Sequence, residues 1–574
     1  MKSYYKLIKN IRESYITTLA KLFDYSTSIF SKNKYTSMVD SDYGYTFGEF
    51  RKKCIEISSM LTRYGIGAGD KVAILSQNHP NWSVATFSLM AFGRVSVPLL
   101  QDLSENEVTN IINHSGCKAI FVSKRLLPKL TQEIIDKLTL VIDIETFEFI
   151  KRDDNAFTGT AAIREPLPDD LATIIYTSGT TGSAKGVMLS HRNLVSNMIS
   201  CSHAHKTTEK DRWLSILPMA HAYEFTLGVL LPMYTGSCVY YISKPPTPSI
   251  LIKAMKSVKP TVMLSVPMII EKIYKNSVVP TINGSRILSW LKKRFPSILY
   301  WLVGMKVKKT FGGKIKFFGI GGSKLNPDVE VFLKKAKFPY AIGYGLTETS
   351  PLICNANTKQ THIGSTGYAA YNVDLKLINI NPETGEGEIV AKGDNVMIGY
   401  YKDPQRTREV FTDDGYFRTN DLATVDKKGR YYIKGRLKNV IIGPSGENIY
   451  PEEIEKVIND IDGVNESIVL KRDGRLIALV QFNDNVIDWN QDGEDKFFES
   501  IEEKKKLVMD YVNKKVSKFS KINSVEVMKD PFEKTATQKI RRYKYEKQEN
   551  NGEAIDSEKK NDKTKEDKEK NSKS

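Results

Sequence analysis

Residues 176–187 read YTSGTTGSAKGV, and the chemistry of this chain is easiest to read outward from them. Three glycines, a run of hydroxyl side chains and one lysine lie between two apolar segments, DLATIIY (170–176) and VMLSH (187–191). The first segment has the composition of a buried strand. Glycines placed after a strand let the backbone turn sharply and aim N–H groups at an anion. Gly179 and Gly182 supply the turn, Thr177, Ser178, Thr180 and Thr181 add hydroxyl donors, and Lys185 adds a mobile positive charge. A nucleotide triphosphate fits this cradle. A flexible linker has a similar composition, but it does not normally sit between a strand-like run and a second apolar segment with a lysine at its exit. The loop is not a G-x-x-x-x-G-K-[ST] phosphate loop, because Gly186 and not a hydroxyl residue follows Lys185.

Farther along, Tyr344 to Pro351 reads YGLTETSP, after an apolar strand and Gly321-Gly322-Ser323. By itself that is ordinary loop material. Together, the two segments resemble the signature motifs of the adenylate-forming superfamily, which includes acyl-CoA synthetases, peptide-synthetase adenylation domains and luciferases. The resemblance runs from about Tyr45 to Arg542. It implies that Tyr344 stacks on adenine, that Thr347 meets the α-phosphate and that Glu348 holds Mg2+, a hard cation that takes oxygen ligands from carboxylates and substrate phosphates. Asp421 in FRTNDL resembles the aspartate that accepts from the ribose hydroxyls, and Arg436 in IKGRLKN the arginine beside the same sugar. Gly usually stands where this chain has Asn420, and often an acid where it has Asn439. The resemblance places a hinge at Lys438, brings Gly446 toward the pantetheine channel, and makes Lys539 in TATQKIRR the catalytic lysine of the C-terminal domain.

The segment Leu217 to Gly236 (LPMAHAYEFTLGVLLPMYTG) carries no aspartate to pair with a substrate amino group, so it resembles long-chain acyl-CoA synthetases more than peptide-synthetase domains. Its bulky apolar residues with Gly228 suit the wall of an acyl tunnel. His221 stands where the family puts a residue near the substrate carboxylate, and a packed or capping histidine is the plainer reading. The implied reaction is ATP-dependent activation of a fatty acid, followed by thioester formation with CoA. An acyl-acyl carrier protein ligase would share every adenylation residue. A non-catalytic membrane-associated protein of the same fold is the rival from another class.

Organisation along the chain agrees with an α/β protein. From Tyr45 to about Leu130, and again from about Asp170 to Thr358, helical periodicity alternates with short apolar strands, the rhythm of layered α/β subdomains with mainly parallel sheets. After Ile363 short strands and turns predict a compact β subdomain, which the family builds as a β-barrel. Helices return after Arg436 in a small α+β domain, mobile in the family. The expected divisions are 1–436, 437–547 and a charged tail, 548–574, whose composition predicts disorder.

Five scattered cysteines without CxxC spacing suggest neither a disulfide framework nor a zinc site, so a reducing cytoplasm is the expected location. Lys2, Lys6, Lys9, Arg12 and Glu13 interrupt any signal-peptide core, and the N-terminus reads as a surface helix. Phe225 to Ile242 is a weakly polar run that reads as buried core and not as a membrane span. The net charge is +17, and from residue 272 to 327 twelve basic residues occur with no acid. Within that stretch ILYWLV (298–303) is apolar, a pattern that suits peripheral contact with an anionic membrane and equally a basic helix whose aromatics face the core. No nucleic-acid motif is present.

Overall fold

The computed structural model of the chain describes residues 10–157, 159, 161–178, 184–244, 246–443, 448–483, 486–487, 494–535 and 539–546. The chain divides into two compact units between Val440 and Ile441.

The first unit contains two large sheets. One has eight strands in the order Gly399–Tyr400, Ala184–Ser190, Leu171–Ser178, Val95–Leu99, Lys71–Leu75, Ala119–Val122, Leu140–Asp143 and Phe149–Arg152. The strands from Leu171–Ser178 to Leu140–Asp143 pair in parallel, while Ala184–Ser190 and the two edge strands pair antiparallel. The other has nine strands, with Arg212–Ser215, Val262–Ser265, Phe317–Ile320 and Tyr340–Gly345 parallel at its centre. Inner strands buried on both faces explain why KVAIL, LATIIY and FFGI read as unbroken apolar runs. One core spans both sheets, joining Val72 and Ile74 of the first to Tyr35 and Val239 of the second through Trp82, Phe87, Phe225 and Tyr234.

Local rules account for the helices. Phe47–Arg63 starts at a capping box in which Thr46 and Glu49 satisfy each other's backbone N–H groups. It buries Phe50, Cys54, Ile57 and Leu61, one stripe of a 3.6-residue period. The weakly polar run after Phe225 is buried: a π-helical turn over Phe225–Leu230, a short helix Leu231–Thr235 ended by left-handed Gly236, and the strand Cys238–Tyr241. Among the described residues no helix is long and apolar enough to cross a membrane.

The β subdomain is a four-stranded antiparallel sheet of Asp374–Ile378, Gly387–Lys392, Phe417–Val425 and Tyr431–Arg436. The second unit packs helices Pro451–Asn459 and Glu494–Asn513 against a three-stranded sheet, around Ile454, Ile458, Val480 and Val508. The charged tail after residue 547 lies outside the described residues.

Candidate active site

The strands on either side of the glycine-rich loop form a hairpin. Leu171–Ser178 and Ala184–Ser190 pair antiparallel, with Tyr176 opposite Gly186 and Thr177 opposite Lys185. Gly186 is needed for close approach, since a Cβ there would lie 2.9 Å from Ile174 and 3.2 Å from the Tyr176 ring. Gly179, Thr180, Thr181 and Gly182 lie outside the described residues, and Ser178 is described by its strand position only. Thr177 Oγ1 is buried and has no hydrogen-bond partner among the described residues. A phosphate oxygen or a cation is among the partners such a hydroxyl can take.

Lys185 projects from the hairpin into a polar cluster. Its Nζ lies 3.3 Å from Tyr400 Oη and 3.6 Å from Glu348 Oε1, and Tyr400 Oη donates to Glu348 Oε1 at 3.0 Å. Burial pulls the Lys185 pKa down; the Glu348 carboxylate opposes this, and Arg406, Lys438 and Arg436 add to the depression. Three cations acting on Lys185 make this cluster a place that favours a polyanion. Tyr400 arrives on the edge strand Gly399–Tyr400, in register with Val187. Burial, then the Glu348 carboxylate, raises its pKa, so the phenol keeps the proton it donates. Sequence reasoning missed this residue, because GYYKDP reads as a turn.

The same short segment reaches a second cluster. The strand Tyr340–Gly345 leads into a single 3₁₀ turn at Thr347–Thr349, which carries Thr347 and buries Glu348. Tyr344 Oη donates to Asp421 Oδ2 at 2.6 Å, and Arg436 Nε donates to Asp421 Oδ1 at 2.8 Å. Asp421 and Arg436 are directly paired across adjacent strands, so the sheet register itself brings them together. Both Asp421 oxygens are acceptors, the kind of group that a vicinal diol donates to.

Asn420 has φ 57°. The left-handed backbone that glycine adopts freely is therefore retained here by asparagine, one of the few other residues that tolerate it. Asn420→Ala is expected to lower unfolding stability by about 1–2 kcal/mol, while Asn420→Gly holds its urea midpoint. Equal loss in both variants would show that the side chain, and not the backbone, matters.

Gly321 and Gly322 follow the strand Phe317–Ile320, with Ser323 exposed after them. A Cβ at Gly319 would meet the Tyr223 hydroxyl at 2.9 Å, and one at Gly321 the Tyr223 ring at 3.3 Å. His221 caps the Ala222–Glu224 turn, its Nδ1 accepting from Tyr223 N at 3.2 Å. Tyr223, Leu227 and Leu231 help line a narrow cavity of about 40 Å³, with Trp213, Phe317 and Asn355 on other walls. Asn355 Nδ2 is buried there without a hydrogen-bond partner among the described residues.

Glu224, in the same segment, is 2% exposed, and its Oε1 accepts from Ser215 Oγ at 2.6 Å. A Cβ on Gly228 would come within 2.4 Å of that oxygen, which gives Gly228 a packing reason of its own. Burial pushes the Glu224 carboxyl from 4.5 up to about 8. Near neutral pH the folded chain therefore holds a proton that the unfolded chain releases, and this contribution to stability is complete below 4.5 and lost as pH rises through about 8. Glu224→Gln is expected to flatten that decline in urea unfolding across this range, and an unchanged pH profile would refute it.

In the second unit, Lys539 lies beside an antiparallel bridge between Lys534 and Ile540, with Thr535 N donating to its carbonyl at 2.7 Å and its own N donating to Thr535 Oγ1 at 3.2 Å. Its side chain is exposed. Gly446 lies outside the described residues.

Residues 29–401 match the family model described as AMP-binding enzyme. The peroxisomal long chain acyl-CoA synthetase 7 of Arabidopsis thaliana is 30% identical, over 83% of this chain and 75% of the relative. A chloroplastic long-chain-fatty-acid–[acyl-carrier-protein] ligase of the same plant is 28% identical, over 87% and 80%. Among solved structures, the o-succinylbenzoate CoA synthetase of Bacillus subtilis, in complex with its acyl-adenylate intermediate, superposes with a TM-score of 0.72. It is 22% identical and shares the fold over 93% of this chain and 99% of its own.

Proposed function

The chain belongs to the family of AMP-binding enzymes, and from that premise we infer that it is a fatty acid-CoA ligase working through an acyl-adenylate. One observation carries the site assignment. The segment 344–348 bridges two polar clusters, Tyr344 bonding to Asp421 beside Arg436, and Glu348 bonding to Tyr400 beside Lys185. That arrangement suits a ligand with a sugar at one end and a polyphosphate at the other. Asp421 would accept from the ribose hydroxyls, and Lys185, with the Thr177 hydroxyl, would meet the phosphates.

A magnesium ion fits this donor set. Glu348 offers one buried carboxylate, and hard dications commonly take one or two carboxylates plus substrate phosphates. When bound it would neutralise charge on the phosphate oxygens. Both protein contacts fall on Glu348 Oε1, so Oε2 is the oxygen we assign to it.

In the first half-reaction the fatty acid carboxylate attacks the α-phosphorus and pyrophosphate leaves. In the second, the CoA thiol attacks the acyl carbonyl, AMP leaves, and the thiol proton passes to solvent. Splitting one difficult acyl transfer into two gives the carboxylate a leaving group that it lacks. We assign the acyl chain to the cavity walled by Tyr223, Leu227 and Leu231. Its volume holds about one water-sized group, so these walls must part to admit a chain. The Phe225–Leu230 π-helical turn, an arrangement frequent at functional sites, is the element we expect to repack. The five cysteines are unbridged and buried, which suits a reducing compartment.

Incubation with ATP, Mg2+, mixed fatty acids and either CoA or acyl carrier protein, read by mass spectrometry, tests the reading. Acyl-CoA with AMP is the expected product. Thioester on carrier protein alone would transfer the assignment to the carrier-protein ligases, and no adenylate at all would sink the enzymatic reading.

A further inference from the structure

The middle of the basic stretch folds into two consecutive helices, Arg286–Arg294 and Pro296–Thr310. The second is apolar on opposite sides. Leu299, Val303 and Val307 enter the core shared with Phe311, Phe318 and Leu333. Gly304 lets the backbone close on Ala336, where a Cβ would meet that residue's Cβ at 2.6 Å. On the other side Ile298, Trp301, Leu302 and Met305, spaced i, i+3, i+4 and i+7, are each between 40% and 52% exposed. The preceding helix adds Ile287 and Trp290, exposed by 71% and 59%. Phe295 at the junction packs edge-on to Trp290, with ring centroids 6.1 Å apart. Lys292, Lys293, Arg294, Lys306 and Lys309 are exposed around this apolar stripe, and no acid occurs between Glu271 and Asp328 to neutralise them.

Single exposed apolar side chains are ordinary; a continuous stripe of them marks an interaction surface. We propose that this helical pair docks the protein peripherally on an anionic lipid surface. Nucleic acid would satisfy the cations but leave Ile298, Leu302 and Met305 in water. A second copy related by a two-fold axis would set this acid-free basic surface against itself, since such an interface uses the same patch twice. A lipid interface accommodates both features. Aliphatic side chains enter the acyl boundary, tryptophans lie at headgroup level and lysines meet lipid phosphates. The proposal stands on this surface alone and does not depend on the adenylation chemistry.

Co-sedimentation of the full chain with vesicles of phosphatidylcholine, with or without a third of phosphatidylglycerol, tests it. Binding is expected to require phosphatidylglycerol and to weaken as salt rises toward about 0.5 M. The variant K292E/K293E/R294E should bind at least ~100-fold more weakly, at about 1 kcal/mol for each cation removed. Trp301→Ala should lose roughly tenfold from lost apolar burial. Both variants should keep the parent's circular dichroism and its turnover of detergent-dispersed fatty acid, since these residues are exposed and outside the catalytic machinery. The proposal is overturned if the parent ignores lipid charge, or if both variants bind vesicles like the parent. It is also overturned if Trp301→Ala disrupts self-association or RNA retention while vesicle binding persists.

Discussion

Replacing Lys539 with alanine is expected to slow pyrophosphate release from fatty acid and ATP by about three orders of magnitude, while thioester formation from supplied acyl-adenylate continues. The first half-reaction brings a carboxylate toward a polyphosphate, so negative charge accumulates where two anions already repel. For any cation that meets such charge at about 4 Å and an effective dielectric near 20, the attraction is about 4 kcal/mol, or roughly a thousandfold in rate, which sets the size of the expected effect. The second half-reaction has no such approach of anions, because the thiol attacks an activated carbonyl. We propose Lys539 for the first task, on the resemblance of TATQKIRR to the family's C-terminal motif. Its backbone is held at both N–H and C=O by Thr535, so these bonds fix where the exposed side chain starts. Lys539→Arg should recover part of the rate, since charge is kept and geometry altered. Separate assays of pyrophosphate release and of thioester formation decide the matter. Equal loss of both would make Lys539 a structural residue or one shared by both steps.

How much of this was legible in the sequence depends on how local the cause was. YTSGTTGSAKGV and YGLTETSP carry their chemistry in adjacent residues, and the alternation of apolar strands with amphipathic helices states the layered α/β class directly. Partnerships made across the fold were less accessible. Asp421 and Arg436 meet because two strands of the β subdomain share a register, and residue spacing alone does not fix a register. Tyr400 reaches Glu348 because a two-residue edge strand joins the hairpin of Lys185, and a tyrosine in a turn-like sequence gives no sign of this. Asn420 shows the converse: it departs from the glycine usual in the family, yet its φ of 57° is the left-handed backbone that glycine adopts freely. ILYWLV likewise read as an apolar run whose destination was open. Packing divides that helix between Leu299 and Val303, which face the core, and Trp301 and Leu302, which do not.

Glu348→Gln is expected to raise the Mg2+ concentration needed for half-maximal adenylation by tenfold or more and to reduce the rate by about 100-fold, the scale on which a preorganised electrostatic contact acts. The substitution keeps the size and one acceptor oxygen but removes the negative charge that faces Lys185 and Tyr400. Two consequences follow from the geometry. The proposed magnesium site would lose its carboxylate oxygen, and Lys185, whose pKa burial already depresses, loses the neighbour that opposes this. The variant should therefore also shift the alkaline limb of the adenylation pH profile downward, as Lys185 gives up its proton earlier. Tyr400→Phe separates the two consequences. It leaves the carboxylate charge in place and removes the hydroxyl that bonds Glu348 at 3.0 Å and lies 3.3 Å from Lys185. A hydrogen bond to a charged group contributes about 1.5–3 kcal/mol, so Tyr400→Phe should slow turnover by at least ~10-fold through loss of positioning, with a smaller change in the Mg2+ midpoint than Glu348→Gln. A metal titration that Glu348→Gln leaves unmoved would exclude this carboxylate as the magnesium ligand. Identical midpoint shifts in both variants would instead make Tyr400 part of the metal site and not a residue that orients it.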